Sequence, residues 1–290
     1  MFAHVRNTSL YFDIDGMGLV PEGPAMVEHR PAFVIHGGPG GEHSDFKLAF
    51  KPLAEQLQLV FFDHRGQGRS ARGDKRLYNL DENVEDMEAL RLHLGLGPVI
   101  SIGTSYGGMV AMAHAARYPQ SVSHLVLIVT AAHAGFNARA REIVATRGTP
   151  EQVAVCRQLW AGELDTEDRL RHYYEVMGPL YALKYDPAAA SVGRARGILA
   201  PDAINQAFAP GGFLQTFDLR PELPAITAPT LIVAGRHDWI CPPEFSEEIH
   251  RLMPHSELVV LENSSHSVRV DEPEKLLQTI TRFVGGASGA

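Results

Sequence analysis

The segment Gly103-Thr104-Ser105-Tyr106-Gly107 sets a serine between glycines. An apolar run at 99–102 precedes it, and small residues at 107–117 follow. That context predicts a strand, a sharp turn and a helix, with the Ser105 hydroxyl lifted above the sheet edge. Glycines fit such a turn because a crowded backbone leaves no room for β-carbons. Serine is a weak nucleophile and needs a base, which in turn needs an orienting acid. Asp238 is the acid expected here, just past the apolar run 230–234. His266 is the expected base, shortly after the run 257–261. His237 is the rival base, but a neighbour of Asp238 in sequence is badly placed to face it across a site. A tetrahedral intermediate also needs two N–H donors for its oxyanion. One is expected from Tyr106, immediately after the nucleophile. The other is expected from Gly37 or Gly38, in the turn His36-Gly37-Gly38-Pro39-Gly40-Gly41. The chemistry these residues imply is acyl transfer through a serine ester.

Other motifs are weaker. Gly66-Gln67-Gly68-Arg69-Ser70-Ala71 matches the dinucleotide pattern G-x-G-x-x-A. Three residues, Asp63-His64-Arg65, separate it from the strand before it, and no apolar helix follows. Glu85 and Glu88, near the place of a ribose carboxylate, fall on a helix face, so nucleotide binding is not expected. Cys156 and Cys241 lie far apart with no zinc-type spacing. Two free, buried thiols are expected, with no metal and no cofactor.

These residues need a scaffold. The chain has 290 residues, 45% hydrophobic and 21% charged, which suits a globular protein able to bury a full core. Its formal charge of −8 lacks the basic footprint of a nucleic-acid binder. No apolar stretch approaches the ~20 residues of a membrane span, and residues 1–10 show no signal-peptide pattern. A cytoplasmic protein acting on a small molecule or short peptide is the expectation, with no nucleic-acid or membrane partner.

Strands are expected at 9–14, 32–35, 57–62, 99–102, 124–129, 230–234 and 257–261. Helices are expected at 80–94, 107–117 and 273–284. The alternation implies an α/β fold, a mostly parallel central sheet with helices on both faces. Between them the chain turns charged and helical, with amphipathic stretches at 139–147, 150–160 and 166–177. Residues 1–134 and 216–290 therefore read as the core, and 135–215 as a helical cap over the carboxyl ends of the strands, where ligands bind in such sheets.

Three stretches together resemble one known branch: His36-Gly37-Gly38-Pro39-Gly40, Asp63-His64-Arg65-Gly66-Gln67-Gly68-Arg69-Ser70, and Gly103-Thr104-Ser105-Tyr106-Gly107-Gly108. The chain is similar to the prolyl aminopeptidases (proline iminopeptidases) of the α/β-hydrolase fold. The resemblance covers the core and is weakest in the cap. It implies release of an N-terminal residue, often proline, from small peptides. It also implies Ser105 as nucleophile, Asp238 as acid, His266 as base, and Gly37 with Tyr106 as oxyanion hole. His36, Trp239, Phe208 and Phe213 are the candidates for contacting substrate.

The cap departs from that branch. Proline-releasing members set acidic residues around the substrate ammonium, commonly in a Glu-Asn-His-Tyr-Phe-like stretch. The corresponding region here reads Asn205-Gln206-Ala207-Phe208 and Gln215-Thr216-Phe217-Asp218, and Trp239 follows the acid where some members carry Glu. Glu163, Asp165, Glu175, Asp186 and Asp218 are the candidate substitutes, although a solvated face is the commoner setting for each. Three functions follow: an aminopeptidase; a carboxylesterase or lactonase with the same three residues; and a non-catalytic small-molecule binder.

Overall fold

The computed structural model describes residues 1–285. Ten strands form: β1 Phe2–Val5, β2 Thr8–Asp15, β3 Leu19–Glu22, β4 Ala25–Glu28, β5 Arg30–Ile35, β6 Leu57–Phe62, β7 Val99–Thr104, β8 Val122–Ile128, β9 Thr230–Gly235 and β10 Glu257–Leu261. Eight make one sheet in the order β1-β2-β6-β5-β7-β8-β9-β10. β1 and β2, and β2 and β6, pair antiparallel; every other neighbour pair is parallel. Every residue of β7 and β9 is buried, which is why both read as unbroken apolar runs. β1 and the separate hairpin β3–β4 were not expected. β1 is short, and both strands of the hairpin stay largely exposed, so neither carries an apolar pattern.

The helices are α1 Ser44–Phe50, α2 Leu80–His93, α3 Tyr106–Arg117, α4 Phe136–Arg147, α5 Pro150–Ala161, α6 Glu167–Tyr181, α7 Pro187–Arg196, α8 Pro201–Phe208, α9 Pro243–Leu252, α10 Val268–Asp271 and α11 Pro273–Gly285. Alternate strand residues divide two cores. Phe33, Ile35, Val60 and Phe62 pack with α2, α3 and α9. Ala32, Val34, Leu59 and Phe61 pack with α1 and α11 on the other face.

Among the described residues no strand lies between Ile128 and Thr230. Helices α4 to α8 fill that interval. A single antiparallel bridge, His133 to Asp218, ties its two ends together. Ala134 N donates to Phe217 O at 2.9 Å and Leu219 N to Ala132 O at 2.8 Å. These helices share a third core in which Val144, Cys156, Leu159, Tyr173 and Met177 meet Trp239 from the end of β9. Cys156 and Cys241 are both free and buried.

The sheet order carries a functional consequence. From β5 the chain crosses to β6 on one side, then returns to place β7 on the other. The carboxyl ends of β5 and β7 therefore flank a switch point, where crossover connections diverge and leave a crevice.

Candidate active site

Ser105 caps β7 and opens α3. Its backbone takes φ +54° and ψ −121°, a sparsely populated conformation for a residue with a side chain. The turn is held from several sides. Ser105 N donates to Ile128 O at 2.8 Å, and Thr130 Oγ1 donates to Ser105 O at 2.8 Å. The flanking glycines are sterically required. A β-carbon on Gly103 would overlap Gly107 O, and one on Gly107 would overlap Ile35 O. The close approach of α3 to β7 depends on Gly103, and its approach to β5 on Gly107.

His266 lies in the loop between β10 and α10, and Asp238 just past β9. His266 Nε2 is 3.0 Å from Ser105 Oγ, and His266 Nδ1 is 2.8 Å from Asp238 Oδ2. Asp238 is buried, and its other oxygen accepts from Ile240 N at 2.8 Å and Cys241 N at 3.1 Å. Those two donors fix which way the carboxylate faces. An imidazole so held presents a free lone pair to the serine hydroxyl, the arrangement that general-base activation of a nucleophile requires. His237 is exposed, and its carbonyl accepts from Ser265 Oγ at 3.2 Å.

The His266 loop is stitched to the helical segment by groups with no sequence motif. Asp271, fully buried, accepts from Ser265 N and Lys184 N, both at 2.8 Å. Ser267 N donates to Tyr181 O at 2.7 Å. The Tyr181 ring meets His266 edge-on at 5.7 Å. Asp271 is the main positioning residue that sequence reasoning missed; its only signal was an acidic side chain five residues beyond His266.

Gly37 lies directly against the serine, since a β-carbon there would sit 3.2 Å from Ser105 Cβ. Gly37 and Gly38 both line the cavity above Ser105. Tyr106 is the first residue of α3, so its N–H has no intrahelical acceptor. The Tyr106 ring is buried, its hydroxyl accepting from Asn83 Nδ2 at 2.6 Å. Burial pushes that phenol well above its ordinary pKa.

The glycine-rich segment at 66–71 braces this turn. Gln67 Oε1 accepts from Gly40 N at 2.7 Å. Asp63 accepts from His43 N, His43 Nδ1 and Arg69 N. Burial raises the Asp63 carboxyl, but the His43 hydrogen bond and charge lead the effects that outweigh it and hold the pKa low. A β-carbon on Gly68 would overlap the Asp63 carboxylate, and one on Gly66 the Tyr78 ring. These glycines serve close packing and leave no room there for a pyrophosphate.

Four residues were expected to contact substrate. Trp239 and Phe208 line the cavity, but His36 and Phe213 do not. His36 is fully buried beneath the turn, where its Nε2 accepts from His64 N at 3.3 Å. Phe213 packs on the Tyr106 ring at 5.8 Å, and its neighbour Leu214 takes the lining position.

The cavity spans about 650 Å³ and is walled largely by Trp160, Tyr173, Tyr174, Tyr181, Trp239 and Phe208. Its charged groups are unevenly matched. Glu42 pairs with Arg69 at 2.9 Å, and Asp45 with Arg196 at 3.5 Å. Asp186 caps α7 by accepting from Ala188 N and Ala189 N. Of the five acidic substitutes named from sequence, only Asp186 lines the cavity. Asp165 pairs with Arg169, Asp218 with Arg220, and Glu175 stands 3.6 Å from Arg194. Glu163 is exposed.

Residues 31–273 match the family model described as alpha/beta hydrolase fold. The chain belongs to that family. It is 32% identical over 287 residues to the proline iminopeptidase PfmaB of Pestalotiopsis fici, covering 96% of this chain and 97% of that one. Among solved structures, it resembles a proline iminopeptidase of Mycobacterium smegmatis (TM-score 0.76, 21% identity, 99% of this chain and 97% of that one). It also resembles an esterase of Exiguobacterium antarcticum (TM-score 0.76, 22% identity, 98% of each chain). This α/β-hydrolase is thus a hydrolase enzyme related in sequence to proline iminopeptidases. No helix among its described residues is long and apolar enough to cross a membrane.

Proposed function

We propose that the protein is a serine hydrolase working through an acyl-enzyme, with esters or lactones as its substrate class. His266 Nε2 takes the Ser105 proton as Oγ attacks the substrate carbonyl. The N–H groups of Tyr106 and of Gly37 or Gly38 receive the oxyanion; one such donor is typically worth ~3 kcal/mol in the transition state. The intermediate collapses, and the leaving oxygen takes the proton from the imidazolium. Water then attacks the acyl-enzyme with His266 again as base, releasing the acid and restoring Ser105. Asp238 holds the productive tautomer and stabilises the imidazolium. Helices α4 to α8 act as a cap that walls the acyl pocket.

The observation that carries the mechanism is the unbroken relay Ser105–His266–Asp238 at 3.0 and 2.8 Å, opening on an aromatic cavity. The substrate class rests on the cavity's charges. A desolvated ammonium needs a carboxylate, and each cavity carboxylate already has a partner. Trp239 follows Asp238 in the position where an acidic side chain would favour a cationic amine.

A second reading is release of an N-terminal residue from small peptides. The full-length similarity to a protein named proline iminopeptidase favours it. Paired rates distinguish the two: L-prolyl- and L-alanyl-arylamides against short p-nitrophenyl esters and a lactone, with Ser105→Ala as control. Ser105-dependent ester or lactone turnover with little arylamide cleavage is expected. Efficient arylamide cleavage would establish the second reading, and absence of all turnover would leave a binding protein.

A further inference from the structure

Once the charged pairs of the cavity are set aside, Arg269, Lys184 and the helix-capping Asp186 remain. Arg269 lines the cavity from α10, three residues beyond His266. Its guanidinium sits 4.7 Å from the centre of the Phe46 ring. Among the described residues no carboxylate lies within 4.0 Å of it, and Asp45 acts on it only at longer range; Arg69, by contrast, has Glu42 at 2.9 Å and Arg194 has Glu175 at 3.6 Å. The side chain is half-buried. Lys184 also lines the cavity without a carboxylate partner, but it is exposed.

A guanidinium offers only donors, in a fork that fits a carboxylate. The Phe46 face holds the guanidinium plane, so less freedom is lost when an anion binds.

We propose that Arg269 is a specificity-determining residue that binds a carboxylate carried by the substrate. The substrate class is then an ester or lactone of a molecule that bears a free carboxylate beside an apolar or aromatic body. This rests on the reading that the cavity is where Ser105 meets its substrate.

Equilibrium binding tests it without turnover. The chain has two tryptophans, Trp160 and Trp239, and both line the cavity, so their fluorescence reports on occupancy. Ser105→Ala protein is titrated with 3-phenylpropanoate and with its neutral isostere 3-phenylpropanamide. The acid is expected to bind at least ~10-fold more tightly, since hydrogen bonds to a charged group are roughly twice as strong as neutral ones. In the Arg269→Gln background that ratio is expected to fall below about threefold, and Arg269→Lys to keep part of it. Equal affinities in Ser105→Ala protein, or an undiminished ratio in Arg269→Gln, would overturn the proposal. The ratio in the Ser105→Ala protein depends on no change at Arg269, so misfolding of an Arg269 variant cannot rescue the idea. Loss of the ratio with Ser105-dependent ester turnover intact removes the carboxylate subsite alone. A retained ratio with no turnover of any ester removes the hydrolase reading alone.

Discussion

Asp238→Asn is the most informative single perturbation, because the change is one atom and the structure dictates its consequence. The Asp238 oxygen that faces Ile240 N and Cys241 N accepts from both, at 2.8 and 3.1 Å. Asparagine can keep both bonds only by placing its carbonyl there. Its NH2 then faces His266 Nδ1, which must become an acceptor, and the imidazole proton moves to Nε2. That proton points at Ser105 Oγ, 3.0 Å away, and the base is disabled. Flipping the amide restores the productive tautomer but sets an NH2 against two buried N–H groups. Each orphaned donor costs ~1–3 kcal/mol, so the flip costs about 2–6 kcal/mol. At 1.36 kcal/mol per tenfold, the competent population falls by roughly 30-fold to 3 × 10⁴-fold. Lost stabilisation of the imidazolium adds to this, and a total near 10⁴-fold in kcat is expected. The assay is steady-state hydrolysis of a p-nitrophenyl ester at pH 7, beside thermal unfolding. Little change in Tm is expected, since the favoured amide orientation keeps both backbone bonds. An Asn variant within tenfold of wild-type kcat would refute the reasoning about orientation.

Other outcomes follow from the same structure. Gly107→Ala drives a β-carbon into the Ile35 carbonyl, which cannot move without shifting β5. A loss of about 3 kcal/mol, roughly 6–12 °C in Tm, is expected; a Tm within 2 °C of wild type would contradict it. Asp271→Ala strips the acceptor from Ser265 N and Lys184 N. It is expected to lower kcat about 100-fold by loosening the His266 loop, with KM little changed; an equal loss through KM would contradict a positioning role. Glu88 bonds Arg91, His114 and Ser121. Burial raises its pKa, but the Arg91 hydrogen bond and then His114 outweigh it and bring it down to about 2. A depressed carboxylate stabilises the fold above its unfolded pKa and loses that contribution as pH falls from about 4.5 toward 2. In urea unfolding, the gap between wild type and Glu88→Gln is therefore expected to be wide at pH 6, to narrow below about pH 4.5 and to close only near pH 2; a constant gap would refute the assignment.

The parts of the site legible in sequence are those whose cause is local. A glycine-flanked serine between an apolar run and small residues reports its own turn, because sterics within a few residues demand it. Asp238 could be placed because it follows the fully buried strand β9, which is apolar without interruption, and His266 because it follows the apolar run of the half-buried edge strand β10. The missed parts have distant causes. His36 and Phe213 do not line the cavity, because side-chain direction there is set by His64 and Tyr106. The short helix α1 and the four-residue α10 are too brief to show a periodic face, yet they supply Phe46 and Arg269. Asp271 and the unmatched state of Arg269 are properties of three-dimensional neighbours, and no spacing encodes them. The pattern at 66–71 misled in the opposite direction: its glycines answer to the Tyr78 ring and the Asp63 carboxylate, and not to a nucleotide.

The central claim is a covalent acyl intermediate on Ser105, and trapping is its most direct test. Wild-type protein is treated with an alkyl fluorophosphonate, which phosphonylates an activated serine, and the adduct is mapped by peptide mass spectrometry. One adduct per chain is expected, on Ser105, absent in Ser105→Ala and strongly slowed in His266→Ala. An adduct on another residue, or equal labelling of the Ser105→Ala protein, would contradict the account.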